Sequence, residues 1–196
     1  VLVSPILLRI GTPSTLTVLV QSTNMKNLWA PWRMSYLQGE TDTSDECIFC
    51  RVLREKHDTR NLILYRNTHA YILLNRYPYT NGHMMIVPVQ HVASLEDLDI
   101  ITMESVGSLT QLALKTLRLA YDPEGFNVGI NIGEAAGAGV PGHVHTHVVP
   151  RWMGDTNFMT MVAETRVVPV ELAVTHTRLR DLMGRLLLAG NLANTP

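Results

Sequence analysis

The chain has 196 residues (21.9 kDa), of which 46% are apolar, enough for one well-buried core, and no shift in composition calls for a second domain. With 16 Lys and Arg against 17 Asp and Glu, its net charge is -1 and its pI about 6.8. It therefore presents no general basic field, which excludes duplex nucleic acid as a general partner but is compatible with a small nucleotide held by local contacts.

Residues 1–24 are apolar and carry one charge, Arg9, but Pro5, Gly11 and Pro13 interrupt them. No run approaches the roughly 20 apolar residues that span a bilayer, so no membrane is expected, and the basic start of a secretory signal is missing. The expected organisation is a non-core N-terminal extension over 1–24, a single domain over 25–190 and a frayed tail over 191–196, in the cytoplasm. Residues 28–37 hold Trp29, Trp32 and Tyr36, which either cap the core or offer an aromatic face to a purine; a polar linker, 38–46, follows.

Two short strands are predicted at 62–65 and 69–74, joined by the polar turn Arg66-Asn67-Thr68, and a third at 83–88 after a loop marked by Pro78 and Asn81-Gly82. Short links between successive strands imply an antiparallel meander. The spacing of Val106, Leu109, Ala113, Leu117 and Ala120 predicts a helix over 97–120, ended by Asp122-Pro123, with its apolar stripe on the sheet. Strands over 126–132 and 143–149 bring the sheet to about five, and Leu172, His176, Leu179 and Leu182 or Met183 predict a C-terminal helix. The fold class is α+β: an antiparallel sheet with one long helix and a C-terminal helix.

Chemistry concentrates in residues 142–152. His143, His145 and His147 fall at alternate positions, and an extended backbone turns alternate side chains to one face, with Val144, Thr146 and Val148 on the other. The Gly-rich run Gly137-Ala138-Gly139-Val140-Pro141-Gly142 leads into this row, and its amides can close on phosphate oxygens. A neutral imidazole can attack a phosphorus anhydride near pH 7 and form a phosphoramidate that a second acceptor opens. The middle histidine, His145, has a histidine on each side. Asn75 has the donor and acceptor for ribose hydroxyls, or caps a turn. Cys47 and Cys50, the only cysteines, form a CxxC pair that reads as a metal half-site or a redox pair, although no βαβ unit of thioredoxin type surrounds it. Zinc would need two further ligands. His57, His69 and His176 are expected to be surface or core residues without chemistry.

These residues resemble the histidine triad (HIT) family of nucleotide hydrolases and transferases, with its pattern His-φ-His-φ-His-φ-φ, in which only Thr146 departs from an apolar φ. Residues 74–83, with Val87-Pro88 and His91, look like the family's ribose-binding strand and turn. Residues 125–131, Pro150-Arg151-Trp152 and 154–158 are similar to the branch containing diadenosine tetraphosphate phosphorylases.

The resemblance implies a HIT-like fold and a homodimer. It implies a nucleotidylated His145, assisted by His143, His147 and His83, and nucleotide contacts from Asn75, Asn131, Gly137, Ala138, Gly139, Val140, His147 and Trp152. It also implies structural zinc on Cys47, Cys50, His91 and His143, with no organic cofactor. The substrate class is an adenine nucleotide or dinucleoside polyphosphate, and the alternatives are a phosphoramidate hydrolase or a catalytically weak nucleotide sensor. Where many relatives place Gln before a Val, or a Gly-Ser pair, this chain reads Ala138-Gly139-Val140, so the acceptor, inorganic phosphate or water, is not assigned by these residues.

Overall fold

The structure is a computed structural model, and it describes residues 46–155 and 171–193. The expectations for residues 1–24, 28–37 and most of 38–46 lie outside the described residues, as does most of 154–158. In chain order the elements are α1 (Ile48–Glu55), β1 (Ile63–Arg66), β2 (Ala70–Leu74), β3 (Met84–Pro88), α2 (Ile100–Tyr121), β4 (Gly125–Ile130), β5 (Thr146–Arg151) and α3 (Leu172–Ala193). The strands form one antiparallel sheet in the order β1-β2-β3-β5-β4, so the α+β expectation of five strands holds.

Strand alternation sorts the sheet into two faces. Leu64, Ala70, Ile72, Leu74, Met84, Ile86 and Val148 pack on the predicted stripe of α2 (Val106, Leu109, Ala113, Leu117, Ala120) and on Leu179 and Met183 of α3. The opposite face presents Ile63, Tyr71, Leu73, Met85 and Val87 to Phe49 and Val52 of α1. This second layer covers β1 to β3. The same face of β5 and β4, carrying His147, Val149 and Arg151 across from Gly129, Asn127 and Gly125, holds a cavity instead.

Three local differences from the sequence reading have physical causes. The α1 helix, of which the sequence reading took only the cysteine motif, follows from Phe49, Val52 and Leu53 at helical spacing, a period too short to stand out beside the cysteines. The final helix runs to Ala193, into the stretch expected as a tail. The β5 strand starts at Thr146 rather than at His143, because His143 N–H bonds Val140 O in a turn and Val144 N–H bonds Val92 O in a loop.

Candidate active site and metal centre

Because β5 begins at Thr146, strand alternation orients His147 but not His143, and the three rings do not share one strand face as the sequence reading expected. They form a file instead. His91 and His143 lie 4.9 Å apart by ring centroids; Phe49 touches both His143 (5.4 Å) and His145 (4.9 Å). His145 is 4.8 Å from His147, His147 is 5.1 Å from His83, and Tyr79 stacks on His83 at 4.8 Å.

Hydrogen bonds assign a proton to four of these histidine rings. His143 Nε2 lies 3.0 Å from the carbonyl of Pro88, so Nε2 carries the proton and Nδ1 turns its lone pair toward the cysteines. His145 Nδ1 donates to the carbonyl of His143 at 2.9 Å, leaving the lone pair on Nε2. Burial holds His145 below the ordinary imidazole pKa, against the pull of that carbonyl, and so keeps it neutral. Burial lowers His143 as well, aided by His91 and His145 and opposed by the Pro88 carbonyl. At His83, the backbone N–H of Tyr79 donates to Nδ1 at 3.1 Å. Its proton is therefore on Nε2, which donates to His147 Nδ1 at 2.9 Å, and His147 in turn carries its proton on Nε2. Residues 64 positions apart in sequence are thus locked into one tautomeric pattern.

At the other end of the file, Cys47, Cys50, His91 and His143 bring four ligand atoms within 4.8 Å of one another and could hold a metal ion. Cys47 Sγ is 3.4 Å and Cys50 Sγ 3.7 Å from His143 Nδ1; Cys50 Sγ is 3.3 Å from His91 Nδ1, and the two Nδ1 atoms are 3.2 Å apart. A tetrahedron with Zn–S near 2.3 Å and Zn–N near 2.0 Å has edges of about 3.3–3.8 Å, so the donor set fits zinc. Burial first, then the neighbouring Cys47, pushes the Cys50 thiol up to about 11, so a cation bound there must displace the proton from that thiol. The Pro88 carbonyl fixes the ligating tautomer of His143.

The cavity on the free half of the sheet, about 390 Å³, is lined by Tyr79, Asn127, Val128, Gly129, Asn131, His147, Val149 and Arg151. Of the residues read as nucleotide contacts, His147 and Asn131 line it; Asn75, Gly137, Ala138, Gly139, Val140 and Trp152 do not, and neither does His145, which is 5% exposed just behind His147. The Asn75 side chain accepts from Tyr77 N–H at 2.8 Å and so caps the turn. Within the glycine run the amides of Gly137 and Ala138 are spent on Glu134 O and Gly133 O, which removes them from an anion cradle. Asn131 donates to Gly137 O at 3.4 Å and Val140 packs against the α1 layer. His176, as expected, is a core residue bonded to Ile63 O. The sequence reading assigned no role to Tyr79, Asn127 or Arg151. Their signal was positional: Arg151 shares the His147 face by alternation, and Asn127 sits opposite Val149.

An antiparallel five-stranded sheet that carries three alternate histidines, one pointed at a CxxC pair and one at a cavity, defines a histidine triad protein. Residues 56–153 match the HIT domain family, and the chain belongs to it. It is 36% identical over 156 residues to the AP-4-A phosphorylase of Mycobacterium tuberculosis, covering 76% of this chain and 80% of that one. It is 34% identical over 91 residues to the bis(5'-adenosyl)-triphosphatase of Saccharomyces cerevisiae, 46% of this chain and 44% of that one. Among solved structures, a Zn-bound histidine triad family protein from Mycobacterium smegmatis superposes with a TM-score of 0.61 at 27% identity, covering 74% of this chain and 97% of the other.

Proposed function

We propose that this protein cleaves a phosphoanhydride bond in a dinucleoside polyphosphate, most specifically diadenosine tetraphosphate, through a nucleotidyl-His145 intermediate. The observation that carries this reading is the bond from His145 Nδ1–H to the His143 carbonyl, which leaves a neutral Nε2 as nucleophile. Nε2 attacks the α-phosphorus, the bridging P–O bond breaks, and its electron pair leaves with the departing nucleoside polyphosphate. His147 hydrogen-bonds the departing oxygen through its Nε2–H, so that oxygen leaves as a phosphate anion and no proton is transferred, and His83 holds the tautomer that allows it. A second acceptor then displaces His145 by breaking the P–N bond.

Inorganic phosphate is the acceptor we favour, because the relative matched over most of this chain is named a phosphorylase; water is the alternative, as in the triphosphatase. The nucleotide would draw on Asn131, on the amides of Gly139 and Val140, and on Asn75 and Trp152 at the margin. Zinc is the metal we assign to Cys47, Cys50, His91 and His143; bound there it would tie the start of α1 to the segment carrying the nucleophile. A homodimer paired along the edge strand β4, where Val128 is 49% exposed, and a cytoplasmic location complete the proposal. No helix among the described residues is long and apolar enough to cross a membrane.

The test is His145→Asn. Turnover of diadenosine tetraphosphate should fall by at least about 1,000-fold, in line with loss of a nucleophile, while nucleotide binding persists. Near-native turnover by this variant would overturn the assignment. Labelled inorganic phosphate appearing in product nucleotide identifies phosphorolysis; label left in the buffer while substrate is consumed identifies hydrolysis.

A further inference from the structure

The cavity continues past His147 to a residue that the reaction above does not use. His147, Val149 and Arg151 alternate on one face of β5, so Arg151 lies roughly 13 Å along the strand from His147. Arg151 lines the same cavity as His147, together with Val149 between them on β5, Asn127 and Gly129 across on β4, and Tyr79; a Cβ at Gly129, opposite His147, would meet open space. Its volume of about 390 Å³ is in the range of small-molecule sites.

Arg151 is held but not used up. Nε and Nη2 donate to the two carboxylate oxygens of Asp155, and Nη1 donates to Asn127 Oδ1 on β4 at 2.8 Å. Three of its five N–H groups are thereby committed, which leaves one on each terminal nitrogen. The Asp155 side chain is 12% exposed, whereas that of Arg151 is 40% exposed. Asp155 steadies the guanidinium from behind and keeps it charged. With that carboxylate balancing its charge, Arg151 offers directed, pre-oriented donors rather than a long-range field, and a planar fork of this kind matches phosphate oxygens.

We propose that Arg151, steadied by Asp155 and Asn127, is the docking point for the departing half of the substrate, the distal phosphates beyond the bond that His145 breaks. This deepens the functional reading above and rests on it for the direction of the reaction: the nucleotidyl group stays on His145, the departing oxygen passes His147, and the phosphates behind it extend toward Arg151. The residue thereby sets a preference for leaving groups that carry a polyphosphate.

The experiment compares two substrates of the full-length protein, diadenosine tetraphosphate and the p-nitrophenyl ester of AMP, whose leaving group has no phosphate. In Arg151→Gln the ratio of their kcat/KM values should fall on the order of 10- to 100-fold, the loss of a hydrogen bond to a charged group. Arg151→Lys, which keeps the charge but not the fork, should fall between. An unchanged ratio, or an equal fall on both substrates as general damage to the fold would produce, overturns the proposal. Failure of the underlying reading would show separately, as no cleavage of diadenosine tetraphosphate by the wild-type protein. Calorimetry with inorganic tripolyphosphate then decides: weakening by Arg151→Gln over the same range supports the docking point, and unchanged binding overturns it.

Discussion

Gly82 is the last residue of the loop that delivers His83 to its bond with His147, and Gly82→Ala shows what that delivery costs. Its φ is +81°, a region where an L side chain is strained by about 1–2 kcal/mol. A Cβ there would also meet Leu117 Cδ2 at 2.9 Å and the ring of Tyr121 at 3.0 and 3.3 Å. Leu117 is fully buried against the sheet, so its methyl group cannot swing away, and overpacking of this kind costs about 1–3 kcal/mol. The two terms give roughly 2–5 kcal/mol, a large part of the 5–15 kcal/mol of a typical domain.

Urea denaturation of wild-type protein and Gly82→Ala measures the loss directly. The origin of the loss is read by repeating it in a Leu117→Ala background, where the closest clash is gone. The penalty of the glycine substitution should then shrink by about 1 kcal/mol or more, as coupling between contacting residues. A Gly82→Ala cost below about 1 kcal/mol, or full additivity with Leu117→Ala, would refute the reasoning from steric contact.

The metal centre makes a second prediction. Cys50→Ser should lower bound zinc well below one equivalent per chain by elemental analysis. A ligand held at 1,000 times its Kd contributes about 4 kcal/mol, so the melting temperature should drop by roughly 8–16 °C. A full zinc equivalent with unchanged melting would refute the Cys2His2 assignment. The helix cap at Asp99 predicts a pH dependence. Bonding from Thr102 N–H, at 2.7 Å, holds this carboxyl below its usual range. The unfolded chain therefore binds the proton more readily, and the stabilisation is fully present above about pH 4 and lost as pH falls through the folded value. Asp99→Ala should accordingly be less stable than wild type near pH 7, with the gap in urea midpoint closing as the pH falls below the ordinary aspartate range. At the relay, His83→Gln keeps an acceptor for Tyr79 N–H and a donor for His147, whereas His83→Leu removes both of these part-buried bonds and should cost about 1–3 kcal/mol more in stability by urea denaturation. Equal stability of the two variants would show that the relay is not formed.

Much of the fold was legible because its elements are set by local periodicity. The unbroken apolar runs of β2 and β3, buried on both faces, and the stripe from Val106 to Ala120, which repeats at helical spacing, are both visible within a short window of sequence wherever the chain goes next. The reach of β5 was overestimated for a related reason. His143 and His145 keep the period of a strand, but two bonds to Val140 and Val92 hold them in a loop, and those partners lie outside any local pattern.

The candidate site divides along the same line. The composition and spacing of the chain alone marked the histidine row, the cysteine pair and the glycine run, since reactive residue types at short spacing need no partner to be seen. Only the tertiary structure decided that His143 turns to the metal cluster, that His83 sets the proton on His147, and that the open cavity lies over β4 and β5 with Arg151 in its lining. Each of these depends on strand register and on which half of the sheet α1 covers. Such relations join residues tens of positions apart and leave no mark on the short-range pattern of any single segment.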